Sequence, residues 1–145
     1  MELQIISPAT ADELAAYYNL RWEVLRAPWG KERGSEKDND EAGAFHFSII
    51  DAKRNTIGVC RLQKVDAVTG QIRFMAVHPD FEGKGIGTML LTKVEDSAKV
   101  MGLTQIQLQA RENAVPFYSK NGYVLVEKTF LLFDKIQHYL MKKEI

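Results

Sequence analysis

Val77-His78-Pro79-Asp80-Phe81-Glu82-Gly83-Lys84-Gly85-Ile86-Gly87-Thr88-Met89-Leu90-Leu91 joins an apolar strand pattern to an amphipathic helix through a loop of three glycines and a lysine. A strand–glycine loop–helix junction offers backbone N–H groups, close approach without a Cβ, and the positive end of a helix dipole. Those are the means of holding a phosphate or pyrophosphate. The nucleotide P-loop needs G-x-x-x-x-G-K-[ST]; here the lysine precedes Gly85 and no Ser or Thr follows it, so that pattern fails. A dinucleotide fold wants G-x-G-x-x-G after its first strand, whereas Gly83, Gly85 and Gly87 are closer spaced and follow a run of hairpins. A plain structural turn remains open on the loop alone.

Working outward, the helix after the loop puts Ile86, Met89, Leu90, Val94, Ala98 and Met101 on one face, and Gly102 stops it. The strand before it runs from Gln71 to Val77, after a turn at residues 66–70. Upstream, residues 44–51 and 56–65 alternate as strands around the turn Ala52-Lys53-Arg54-Asn55. Leu3 to Ser7 reads as a first strand. Thr10 and Glu13 then form a capping box for a helix carrying Leu14, Tyr17, Tyr18, Trp22 and Leu25, and Pro28 ends it. Residues 29–43 are polar and glycine-bearing, as in a surface loop. Downstream come a strand at 103–110, a short helix at 114–120 and two strands at 123–134 and 136–142. The order β-α-β-β-β-α-β-α-β-β predicts an α/β (α+β) fold: a mixed central sheet of about seven strands with helices on both faces. The glycine loop then follows the carboxyl end of a central strand, where open α/β sheets bind ligands.

The 145 residues, 46% of them hydrophobic, suffice for a single domain spanning residues 1–145. With 19 basic and 19 acidic side chains the formal charge is zero, so no global field argues for nucleic acid or an anionic membrane. One cysteine, Cys60, excludes an internal disulfide and fits a reducing compartment. The segment Met1-Glu2-Leu3-Gln4 has no leader pattern and no apolar run reaches spanning length. A cytoplasmic protein with no membrane partner is the expectation, and no metal-ligand spacing appears among the histidines.

Two strings carry a family resemblance. Met75-Ala76-Val77-His78-Pro79, followed by Glu82-Gly83-Lys84-Gly85-Ile86-Gly87 and a helix, resembles motif A of the GCN5-related N-acetyltransferase (GNAT) superfamily. Arg111-Glu112-Asn113-Ala114-Val115-Pro116-Phe117-Tyr118-Ser119-Lys120-Asn121-Gly122-Tyr123 resembles its motif B. The element order fits over almost the whole chain. The resemblance implies acetyl-CoA as acyl donor, with its pyrophosphate on the backbone amides of Gly83, Lys84, Gly85, Ile86, Gly87 and Thr88. It implies pantetheine and oxyanion contacts from the backbone of Met75, Ala76 and Val77. It makes Tyr118 the acid that protonates the leaving thiolate, and Asn113 a helix cap that contacts the cofactor. Glu82 departs from the pattern, standing where the family has Gln or Arg. Many relatives carry a Glu on the fourth strand as base; Gln71-Ile72-Arg73-Phe74-Met75 has none, which leaves His78, His46, Glu41 and Asp40 as candidates.

The implied reaction is acetyl transfer to a primary amine of a small molecule or peptide by direct attack in a ternary complex. A non-catalytic CoA-binding module with the same fold is the alternative. On the acceptor side, Glu36, Asp38, Asp40 and Glu41 lie in the loop after Trp22 and Trp29. Acid plus aromatic suits a cationic amine, and a solvated loop with core tryptophans competes with that reading. Phe130-Leu131-Leu132-Phe133 is apolar on both faces, as in a buried strand or a homodimer contact.

Overall fold

Thr10 and Glu13 begin the first helix as their spacing predicts. The Glu13 backbone N–H donates to Thr10 Oγ1 (3.2 Å), and the Thr10 N–H donates back to Glu13 Oε1 (3.1 Å). The computed structural model describes residues 2–145; Met1, which opens the leader reading above, lies outside them. The elements are β1 (Leu3–Ile6), α1 (Ala11–Leu25), β2 (Phe45–Asp51), β3 (Thr56–Lys64), β4 (Thr69–Val77), α2 (Ile86–Val100), β5 (Gln105–Arg111), α3 (Val115–Lys120), β6 (Val124–Leu132) and β7 (Ile136–Glu144). This is the expected order, and the seven strands hydrogen-bond in the order β1-β2-β3-β4-β5-β7-β6. No helix among the described residues is long and apolar enough to cross a membrane.

The chain clusters into two compact units, Met1–Gln63 with Phe74–Val94, and Lys64–Arg73 with Glu95–Ile145. In the first, β1 pairs antiparallel with β2 (Leu3 opposite Asp51, Ile6 opposite Ser48), and β2 pairs antiparallel with β3 (Phe45 opposite Leu62). Tyr17 and Leu20 of α1 pack on Val59 and Ala76, with Tyr18, Val24 and Leu25 around them. The start of α2 sits directly on β3: a Cβ added at Gly58 would meet Ile86 Cγ2 at 2.7 Å. Backbone without a side chain is what lets the helix approach.

In the second unit β4 and β5 form a parallel ladder from Thr69/Gln105 to Ile72/Leu108. β5 pairs antiparallel with β7 from Gln105/Glu144 to Arg111/His138. The intervening α2 is therefore a parallel crossover, as expected. Ile106, Leu108 and Ala110 of β5 are buried, with Met141 of β7. Gln105, Gln107 and Gln109, which alternate with them, are half-buried: Gln105 Nε2 donates to Thr69 Oγ1 (2.6 Å) and Thr129 Oγ1 donates to Gln109 Oε1 (2.6 Å).

β6 ends the sheet, and its register against β7 shifts between Leu125 and Glu127 and again between Lys128 and Leu131. The apolar run is not a buried strand: Phe130 is 43% and Leu131 50% exposed, and Val124, Leu125 and Val126 are exposed as well. Among the described residues β6 pairs with β7 and with no other strand, so its outer edge is a sheet edge.

Candidate active site

The first unit carries the glycine loop. His78 ends β4 and caps a 3-10 turn, Pro79–Phe81, its Nδ1 accepting from the Asp80 backbone N–H at 3.1 Å. His78 also donates its own N–H to Ile57 O (2.8 Å), so this residue is tied down as a strand end. Gly83 (φ +72°) and Gly85 (φ +80°) adopt left-handed backbone with open space where a Cβ would stand. Conformation, not crowding, requires glycine at both. Gly85 O accepts the Met89 N–H (3.0 Å), which makes Gly85 the N-cap of α2. Helix geometry gives the amides of Gly85, Ile86 and Gly87 no acceptor inside the helix, and Thr88 continues the turn. No side chain of the first turn is acidic, so the dipole there is not already neutralised by the helix itself.

Around the loop, Glu82 and Lys84 are both exposed. Lys84 Nζ lies 5.4 Å from the centre of the Phe81 ring, while Glu82 follows the 3-10 turn in extended backbone. Upstream, Met75 and Val77 are half-buried and Ala76 is buried in the α1 cluster.

The second unit carries Tyr118 and Asn113. Tyr118 is 9% exposed on α3, edge-on to Phe117 (5.1 Å) and Tyr123 (5.9 Å). Its carbonyl accepts the N–H groups of Asn121 and Tyr123, both at 3.0 Å, which closes the helix. Tyr123 in turn donates to Glu95 Oε2 (3.0 Å), and Lys143 Nζ reaches Glu95 Oε1 at 2.9 Å. Asn113 corrects an expectation. It lies exposed within a 3-10 turn, Glu112–Ala114, and the N-cap of α3 is Ala114, with no side-chain cap bond. The preceding 3-10 turn moves the helix start one residue past Asn113.

The loop after α1 departs furthest from its sequence reading. Of the carboxylates read there as acceptor-side, Asp40 is exposed, while Glu36, Asp38 and Glu41 are engaged by the chain itself. Glu41 pairs with Arg21 (2.9 Å) and Arg61 (2.8 Å), and Asp38 takes the other edge of Arg61 at 2.7 and 2.9 Å. Both guanidinium groups are 0% exposed. Glu36 is buried, and its backbone oxygen accepts from Arg21 (3.1 Å). The aromatics carry cations from the chain itself: Arg33 over Trp22 (4.3 Å) and Lys37 over Tyr18 (4.3 Å). Trp29 is 37% exposed rather than in the core.

Two of the candidate bases belong to this network. Glu41 is held in its ion pairs, and His46 is engaged at both nitrogens, Nδ1 with Tyr17 Oη and Nε2 with Glu41 O, each at 2.8 Å. Burial pushes the Tyr17 phenol and the Cys60 thiol well above their ordinary ranges, so neither ionises near neutral pH.

The family model described as Acetyltransferase (GNAT) family matches residues 14–123. An uncharacterized N-acetyltransferase of Bacillus subtilis (strain 168), YjcF, is 29% identical over 134 residues, covering 92% of this chain and 94% of its own. Among solved structures, a Lactobacillus plantarum protein named only provisionally as an N-acetyltransferase superposes with a TM-score of 0.87 at 23% identity, over 99% of both chains. A GNAT family acetyltransferase from Elizabethkingia anophelis, solved with acetyl-CoA bound, gives 0.78 at 16% identity, over 99% of this chain and 98% of that one.

Proposed function

The chain belongs to the GNAT acetyltransferase family, and from that premise we propose that it transfers an acetyl group from acetyl-CoA to a primary amine of a small molecule or peptide. The observation that carries the proposal is the start of α2, where Gly83 and Gly85 turn through left-handed backbone into a helix N-terminus with no acidic side chain in its first turn. That arrangement suits a pyrophosphate on the amides of residues 83–88. The acetyl-CoA bound to the Elizabethkingia relative supports the same donor here.

The reaction is a direct attack. The amine lone pair forms a bond to the thioester carbonyl carbon, and the oxygen takes the carbonyl electron pair while backbone amides of Met75–Val77 hold it. Collapse breaks the C–S bond, and Tyr118 gives its proton to the departing thiolate, leaving an amide and CoA. The nitrogen gives its surplus proton to solvent, and the Tyr118 phenolate regains one from solvent. The whole chain acts as one functional domain, in the cytoplasm. The exposed strand β6 makes the contact with a second copy.

Thiol release from acetyl-CoA across a panel of amines tests this, with Tyr118→Phe beside the wild type. We expect amine-dependent release, slowed about 100-fold in the variant, a loss typical for a missing general acid. The exposed Glu82 beside the cradle favours one competing reading, a CoA-binding module without catalysis. CoA binding with only background release would establish that module instead.

A further inference from the structure

Phe74 has φ +55°, a conformation that a bulky side chain rarely adopts. Such strain persists only where the surroundings over-determine it. Here the surroundings are cationic. Arg21 Cζ lies 4.3 Å from the ring centre, Arg61 Cζ 4.9 Å and Arg26 Cζ 5.7 Å. The side chains of Arg21 and Arg61 are fully buried, where a cation on a ring face is held most strongly. Two desolvated cations beside one ring would repel, and Glu41 bridges them while Asp38 grips the outer edge of Arg61. Gln63 Oε1 also accepts from Arg61.

The placement along β4 gives this cluster a role. Phe74 comes two residues after Ile72, the last rung of the parallel ladder, and directly before Met75, Ala76 and Val77. Ala76 is itself fixed among Tyr17, Leu20 and Val59. The strained residue thus sets the course of the three residues that follow it. The Nε atoms of Arg21 and Arg61 have no hydrogen-bond partner among the described residues. These guanidinium groups are thus held by their terminal N–H groups and by the ring they share.

We propose that Phe74 is a positioning residue: its left-handed backbone, clamped by the Arg21–Arg61 pair and through them by Asp38 and Glu41, aims the amides of Met75–Val77 at the thioester carbonyl. What those amides do rests on the acetyl-transfer reading; that they are aimed by the clamp does not.

The test uses Phe74→Gly, Arg61→Lys and the double variant in the full chain. Glycine accepts the positive φ but has no ring, and lysine keeps the cation for Asp38 while losing the planar face. Each single change should lower kcat for thiol release by about tenfold while the calorimetric Kd for CoA stays within about twofold. Hydrogen exchange should quicken at residues 75–77 and not in α3. The double variant should be no worse than Phe74→Gly, because Arg61 acts through the ring. Independent effects that multiply in the double variant would overturn the proposal. So would exchange that rises uniformly, or CoA affinity and kcat that fall together, since each marks a general loss of structure. A wild type that releases no thiol refutes acetyl transfer instead; the exchange measurement then decides the clamp by itself, and unchanged exchange at residues 75–77 in both variants overturns it.

Discussion

Gly58 shows how one absent side chain sets the position of a functional helix. Its missing Cβ is replaced by Ile86 Cγ2 and Leu90 Cδ1, and Ile86 is the first residue of α2. A β-branched side chain cannot swing aside cheaply. Gly58→Ala should therefore cost about 1–3 kcal/mol, read by denaturant unfolding, and should weaken CoA binding by moving the start of the helix. Glu82 is a milder case, being exposed. Glu82→Gln should tighten CoA binding about two- to fivefold at low salt, with the difference fading at high salt. An equal Kd at both salt concentrations would mean the carboxylate points away. Among single residues, glycines were the most legible in the sequence, because Gly83 and Gly85 sit where a turn into a helix needs positive φ. Phe74 was not legible at all, since nothing in Arg73-Phe74-Met75 marks a left-handed phenylalanine. Arg21 and Arg61 were hidden for a related reason. Each lies in an otherwise apolar pattern, and the carboxylates that neutralise them stand 20–23 residues away in a loop that reads as solvated.

Elements were read well wherever local chemistry decides them. The capping box of α1 depends on four adjacent residues, and Thr10→Ala should cost about 0.5–2 kcal/mol in chemical denaturation. The turns flanking β3 make a related prediction about pH. Asp51 is held below its ordinary value of 3.8, first by the Asn55 backbone N–H, and Asp66 likewise by that of Val68. A depressed carboxylate contributes stability above its unfolded pKa and loses it as pH falls through the folded value. The melting temperature should thus decline as pH drops below about 4, less steeply in an Asp51→Asn, Asp66→Asn variant. The start of α3 was misplaced because a 3-10 turn continues the chain past Asn113, and i→i+3 bonding leaves no mark in side-chain spacing.

Across the whole molecule, the family and the order of elements along the chain followed from two motifs and the alternation of elements, since both are set by local pattern. Burial of β6 did not, because whether an apolar strand is covered depends on what lies beside it. Leu125→Glu with Leu131→Glu should shift sedimentation from dimer to monomer with unchanged melting of the monomer; an unaltered sedimentation coefficient would assign β6 another role. The anchoring of the loop after α1 also bears on how this chain could be altered. Asp38 and Glu41 are latched to buried arginines, Glu36 holds the Gly34 N–H (2.7 Å) and Arg33 lies over Trp22, whereas Glu32, Asn39, Asp40 and Ala42 are exposed. Such a loop is pinned at fixed studs and slack between them. A combinatorial library confined to those four exposed positions should yield mostly folded clones, and one that includes Asp38 or Glu41 mostly insoluble ones. Surface variation in this loop can therefore proceed by exchanging the slack while the studs stay.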